Sequence, residues 1–245
     1  MITRRGRAMA GALGRAVGRA LDSLEDLGPT GLGTLVAGAE DPLLPGSDAE
    51  RPLVVVPALG PGHPSPWATA LVAAADAVIL LDVCEATDLD EALEQRLVVV
   101  AGLPAPPPTT EGRGLYQGDA AGPGLVAAWR EHGSGGSEGP GVAWAGGRGA
   151  SALAEALEAW AAGCAVVALP GTPRHALLRE GGVLHAETVA EVVEATGYLL
   201  SNPPLVRVIG GRGRLLAARQ PSAREVALRM LEGAEVARQS WAATP

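Results

Sequence analysis

The chain has 245 residues, 47% of them apolar, and a formal net charge of −8 at pH 7. That length and apolar content are enough for one large domain or two small ones with a real core, and the acidic balance argues against nucleic acid as the main partner. No apolar run approaches the ~20 residues that cross a bilayer, and Arg15 and Arg19 interrupt the apolar residues of the N-terminus, so the expectation is a cytoplasmic protein without a secretory signal.

Residues 1–27 predict a basic amphipathic helix. Met9, Leu13, Val17, Leu21 and Leu24 recur at three- and four-residue steps, and five arginines precede the first acid, Asp22. Such a helix either lies on an anionic membrane surface, making the protein peripheral there, or packs on the domain or a partner chain. Residues 28–51, rich in Gly, Pro and Asp, read as a linker. Gly28-Pro29-Thr30-Gly31-Leu32-Gly33-Thr34 within it has the glycines of a phosphate loop but not the lysine that reaches the phosphates, because the chain has no lysine at all.

Residues 52–245 alternate strand and helix. Strands are expected at Leu53–Pro57, Ala77–Asp82, Leu97–Ala101, Val142–Ala145, Ala165–Leu169 and Val183–His185. Helices are expected at Pro66–Ala75, from Thr87 through Glu94, and at Gly124–His132 and Ala150–Ala162. Pro104–Gly118 and the Gly/Ser-rich Gly133–Pro140 read as loops. Three helices close the chain, the first and last opened by capping boxes, Thr188 with Glu191 and Ser222 with Glu225. Continuously apolar strands between helices imply a parallel sheet covered on both faces. The expected fold is therefore α/β: one doubly wound, mostly parallel, Rossmann-like sheet of about six strands over residues 52–245, with the N-terminal helix as an appendage. Ligands of such sheets bind beyond the carboxyl ends of the strands.

The turn Gly146-Gly147-Arg148-Gly149 lies at such an end. Gly147 and Gly149 let a ligand approach the backbone, and the free N–H groups of Ser151, Ala152 and Leu153 at the following helix start favour an anion. The alternative is an ordinary strand-to-helix turn of small residues. Cys84 and Cys164 sit in apolar runs and read as buried free thiols. His175 and His185 are isolated, with no ligand at metal spacing, so no metal site and no cofactor are expected.

Leu157-Glu158-Ala159-Trp160-Ala161-Ala162-Gly163-Cys164-Ala165-Val166-Val167-Ala168-Leu169-Pro170-Gly171 forms a helix–Gly–strand–turn unit. Glu180-Gly181-Gly182-Val183-Leu184, a helix from Thr188, the stop at Leu199-Leu200-Ser201-Asn202-Pro203, an Arg-rich helix and a last helix follow it. From Leu157 to about Glu232 this order resembles the donor-nucleotide end of family-4 retaining glycosyltransferases of the GT-B fold. The resemblance implies that Glu158 accepts hydrogen bonds from the donor ribose and that Arg148 faces the donor diphosphate. It also implies two departures: the family's first glutamate falls at Ala150, and its lysine has no counterpart. An acceptor domain of ~100–200 residues has no room in residues 1–50. The implied function is a degenerate nucleotide-sugar-binding, glycosyltransferase-like protein without its own acceptor domain, a retaining enzyme of GT-B type if catalysis survives. The alternative is a non-catalytic scaffold or accessory subunit, with a protein partner or homo-oligomer. Residues 53–103 are also similar to the later strands of ParA-like ATPases of polysaccharide export, with Pro57 where their acid would stand.

Overall fold

A computed structural model of the chain describes residues 11–27, 34–37, 53–56, 72–81, 97–107, 109, 115–117, 121–132, 141–147 and 150–242. The chain divides into two compact units: unit 1 joins Met1–Pro104 to Pro221–Pro245, and unit 2 is Ala105–Gln220.

Unit 1 has a four-stranded, all-parallel sheet in the order β1 (Thr34–Ala37), β2 (Leu53–Val56), β3 (Ala77–Leu80), β4 (Leu97–Val100). Two helices from opposite ends of the chain accompany it, α1 (Gly11–Asp26) and α7 (Ala223–Ala242). Helix α1 buries Ala12, Leu13, Ala16, Val17, Ala20, Leu21 and Leu24, an apolar stripe along one side. That stripe meets α7, whose buried residues include Val226, Ala227, Met230, Ala234 and Ala237. The apolar stripe expected on the N-terminal helix is thus spent inside unit 1 over Gly11–Asp26, and the helix is a packed element, not an appendage. Helix α7 is also fastened to the sheet: Arg229 Nη1 donates to the carbonyl of Ala101 at 3.0 Å, and Gly233 lies against Val99, where a Cβ would come within 2.9 Å of Cγ2.

Unit 2 repeats the plan with a second four-stranded parallel sheet, β5 (Leu115–Gln117), β6 (Val142–Ala145), β7 (Ala165–Ala168), β8 (Leu184–His185). Its helices are α2 (Pro123–His132), α3 (Ala150–Ala161), α4 (Ala176–Glu180), α5 (Val189–Leu200) and α6 (Pro203–Ala218). Every residue of β6 and β7 is buried, as a central strand covered on both faces requires. Val142, Trp144, Ala165 and Val167 form one cluster with Leu125 of α2 and Val192 and Leu199 of α5. Helix α3 packs on both strands but adds nothing to that cluster, so it covers the opposite face, to which Ala143, Ala145, Val166 and Ala168 point.

The single sheet of about six strands is therefore replaced by two separate sheets. The break falls where the chain reads Pro104-Ala105-Pro106-Pro107, residues that lack the N–H of a ladder or stand beside one that does. Each sheet gains a leading edge strand that the sequence hid, β1 inside the presumed linker and β5 inside the presumed loop. Within each described sheet the strands run in chain order, so neither has the reversal of strand order that defines a doubly wound switch point. The expected helices Pro66–Ala75 and Thr87–Glu94 lie wholly or largely outside the described residues, as does the loop Gly133–Pro140. No described helix is long and apolar enough to cross a membrane.

Candidate functional site

The strongest candidate is the carboxyl edge of the unit 2 sheet. Strand β6 is held in place by Trp144, which is 1% exposed. Its indole Nε1 donates to Thr196 Oγ1 at 2.9 Å, and Thr196 Oγ1 donates to the carbonyl of Val192 at 2.6 Å. Trp129 of α2 meets the same ring edge-on, centroids 6.1 Å apart and planes at 84°. A strand pinned this way delivers the Gly146–Gly147 turn to a fixed place. Gly147 has φ +107°, a conformation that only glycine adopts without strain.

Helix α3 starts at that turn with Ala150, Ser151 and Ala152, all buried. Arg148 and Gly149 lie outside the described residues. Glu158 is half-buried on α3, eight residues past Ala150 and so about 12 Å along the helix axis from it. Position 150, where the resemblance wanted an acid, is a fully buried alanine.

The carboxyl group that does reach the turn is Glu155, which sequence reasoning missed. It is 4% exposed, and its Oε2 accepts the N–H of Gly146 at 2.9 Å. One backbone donor that an anion would use is thus already committed to the protein, and an acid within the first turns of α3 offsets part of the positive field of the helix start. The signal for Glu155 was present: Ala150–Leu157 is small or apolar except at Ser151 and Glu155, so a helix buried all round carries its acid inside. A buried carboxyl needs a partner, and the nearest strand end supplies it.

Beyond β7 the chain turns sharply at Leu169-Pro170-Gly171-Thr172. Thr172 N–H donates to the Leu169 carbonyl at 3.1 Å and Gly171 has φ +80°, so this is a type II turn with proline and glycine in the places that turn demands. His175 then caps α4, its Nδ1 accepting the N–H of Leu177 at 3.0 Å. Strand β8 brings His185 beside Ala168 of β7. Arg174 Nη2 and Glu187 Oε1, 3.0 Å apart, tie the loop after β7 to the loop after β8. Both are largely exposed, so this pair contributes little to stability. Burial holds the His185 imidazole below its usual pKa; Arg174 pushes the same way and Glu187 opposes. Thr172 Oγ1 and His185 Nε2 are buried and have no hydrogen-bond partner among the described residues.

Cys164 is a free, buried thiol, raised to about 11 by burial with Arg214 opposing. It is inert packing rather than a nucleophile. Cys84 lies outside the described residues. No group of three or more His, Cys, Asp or Glu suited to a metal ion occurs among the described residues. Comparison with protein-family models and with curated proteins finds no match to this chain.

Proposed function

We propose that this is a glycosyltransferase-like protein that binds a nucleotide sugar at the carboxyl edge of the unit 2 sheet, with catalysis reduced or lost. The observation that carries the reading is the order of elements from α3 onward. Helix, Gly163, β7, the Pro170–Gly171 turn, β8, the capped α5, α6 and α7 follow one another along the chain in the order that the resemblance implies, with the short α4 added before β8. In this reading unit 2 takes the donor, Glu158 meets the ribose, the α3 start and Arg148 meet the diphosphate, and the acceptor site is supplied by a partner chain.

The alternative is a non-catalytic accessory protein. It is favoured by the buried Ala150 in place of an acid and by Glu155 occupying the Gly146 N–H. Developing negative charge on a leaving diphosphate needs preorganised donors or cations, and this turn has given one donor away in a chain without lysine.

Calorimetric titration with UDP-, GDP- and TDP-sugars, with Glu158→Ala as control, tests the reading. Saturable binding lost in the variant is expected. Binding of none of the three discards the donor site and leaves the accessory role.

A further inference from the structure

Helix α6 buries one side in unit 2 through Val206, Gly210, Gly213, Leu216 and Ala217. Its other side carries Pro204, Val208, Gly211, Leu215 and Ala218, all exposed. The steps between them are four, three, four and three residues, the repeat that keeps a narrow apolar seam aligned for a partner helix. Val208 and Leu215 are 71% and 64% exposed, the two most exposed large apolar residues among those described. Alongside the seam stand Arg207, Arg212 and Arg219, also exposed. The helix contains no acidic residue, although the chain as a whole carries a net charge of −8. Among the described residues none of these three arginines makes an ion pair.

We propose that this face of α6 docks an acidic amphipathic helix of a partner protein. Two bulky side chains separated by Gly211 leave a step where a facing side chain seats and the backbones come close. Glutamates flanking the partner's own seam would answer the arginines, as flanking charges do between paired helices. The other occupants fit less well. A helix lying in a membrane surface buries a broad apolar face, and this seam is narrow and half made of small residues. A second copy using the same face would set arginine against arginine across a two-fold axis. The surface does not depend on nucleotide-sugar binding, so either proposal can fail alone.

The test uses the full chain and a labelled synthetic peptide of three heptads, leucine at the seam positions and glutamate on both flanks, followed by fluorescence anisotropy. The glutamates keep the peptide from pairing with itself. Saturable binding that weakens with added salt is expected. It should fall about tenfold in R207E/R212E and vanish in V208E/L215E, with the thermal unfolding of both variants unchanged because all four sites are exposed. A lysine-flanked peptide should not bind. Equal binding of the lysine peptide, or no binding of the glutamate peptide, overturns the proposal. So does a concentration-dependent dimer abolished by L215E, or binding to phosphatidylglycerol–phosphatidylcholine vesicles abolished by the same variants.

Discussion

Each unit is held by a helix–helix contact between segments distant in sequence, and the two contacts are built differently. In unit 1, α1 packs on α7, and their buried faces mix alanine with larger apolar residues: Ala12, Leu13, Ala16, Val17, Ala20, Leu21 and Leu24 on one helix, Val226, Ala227, Met230, Ala234 and Ala237 on the other. In unit 2, α3 meets α6 around one large ring. Trp160 is fully buried, and a Cβ on Gly213 would lie 2.2 Å from its Cδ1, while one on Gly210 would lie 2.0 Å from the carbonyl oxygen of Gly163. A face of alanine and larger apolar side chains is a graded surface: every one of these positions already has a Cβ, and changes of volume spread over several neighbours. A glycine seam against backbone has no such slack, because a carbonyl oxygen cannot move aside as a side chain tip can.

The sharpest test of that contrast is Gly210→Ala. Helix propensity alone favours alanine by about 1 kcal/mol, but the added methyl cannot coexist with the Gly163 carbonyl. A net loss of about 3 kcal/mol or more is expected, read as a lower unfolding midpoint of unit 2. Trp67 and Trp241 fall in unit 1 and Trp129, Trp144 and Trp160 in unit 2, so amide hydrogen exchange of α3 and α6 is the signal that reports unit 2 alone. A wild-type midpoint would mean that α6 slides freely past α3, and the contrast would be gone.

Overpacking the other seam should cost less. Ala20→Leu, at a position with no exposure, is expected to destabilise unit 1 by about 1–3 kcal/mol. Amide hydrogen exchange should show faster opening of α1 and α7 and no change in α3 or α6. Transmission of the effect into unit 2 would show that the units do not unfold independently.

Smaller and opposite in sign are two glycines with open space around them. A Cβ on Gly211, next to the critical Gly210, meets nothing within 4 Å, and the same holds for Gly18 on α1. Gly211→Ala and Gly18→Ala should each stabilise by about 0.5–1 kcal/mol through helix propensity, as higher midpoints in urea. Adjacent glycines on one helix would then respond to the same substitution with opposite signs.

Much of unit 2 was legible in the sequence because its signals are local. Both boxes formed in substance: Ser222 and Glu225 exchange hydrogen bonds, at 2.6 and 3.2 Å. Thr188 Oγ1 accepts from the Glu191 N–H at 3.2 Å, but Glu191 reaches one residue further back, to the Glu187 N–H at 2.8 Å. The sheet partition was not legible. Thr34–Ala37 and Leu115–Gln117 are short edge strands amid glycine and proline, and their pairing depends on a neighbour distant in sequence. The return of α7 to unit 1 was equally hidden, since an amphipathic stripe tells that a helix buries a face, not against which segment. At the site, the family resemblance drew attention to Glu158 and Ala150, whereas the acid that reaches the turn is Glu155, which α3 turns toward the end of β6.

The last prediction separates the units by pH. The pKa of His185 in unit 2 is lowered by burial, so the unfolded chain takes up its proton more readily than the folded one. Stability from this group is complete above its ordinary value of 6.5 and drains away as pH falls below it. Among the described residues of unit 1 the carboxylates that are shifted are Glu225, lowered by its hydrogen bonds with Ser222, and Glu235, held down at about 2 by Arg238 and Gln239. Their contribution is present above 4.5 and is lost only below it, as pH falls through their folded values. Between these two ordinary values acid should therefore lower the midpoint of unit 2 slightly and leave unit 1 in place. His185→Gln keeps a polar group on β8 without the titration and should flatten that slope. If the slope survives the substitution, a different group in unit 2 is taking up the proton, and the unpartnered His185 Nε2 is not the acid-sensitive point of the sheet edge.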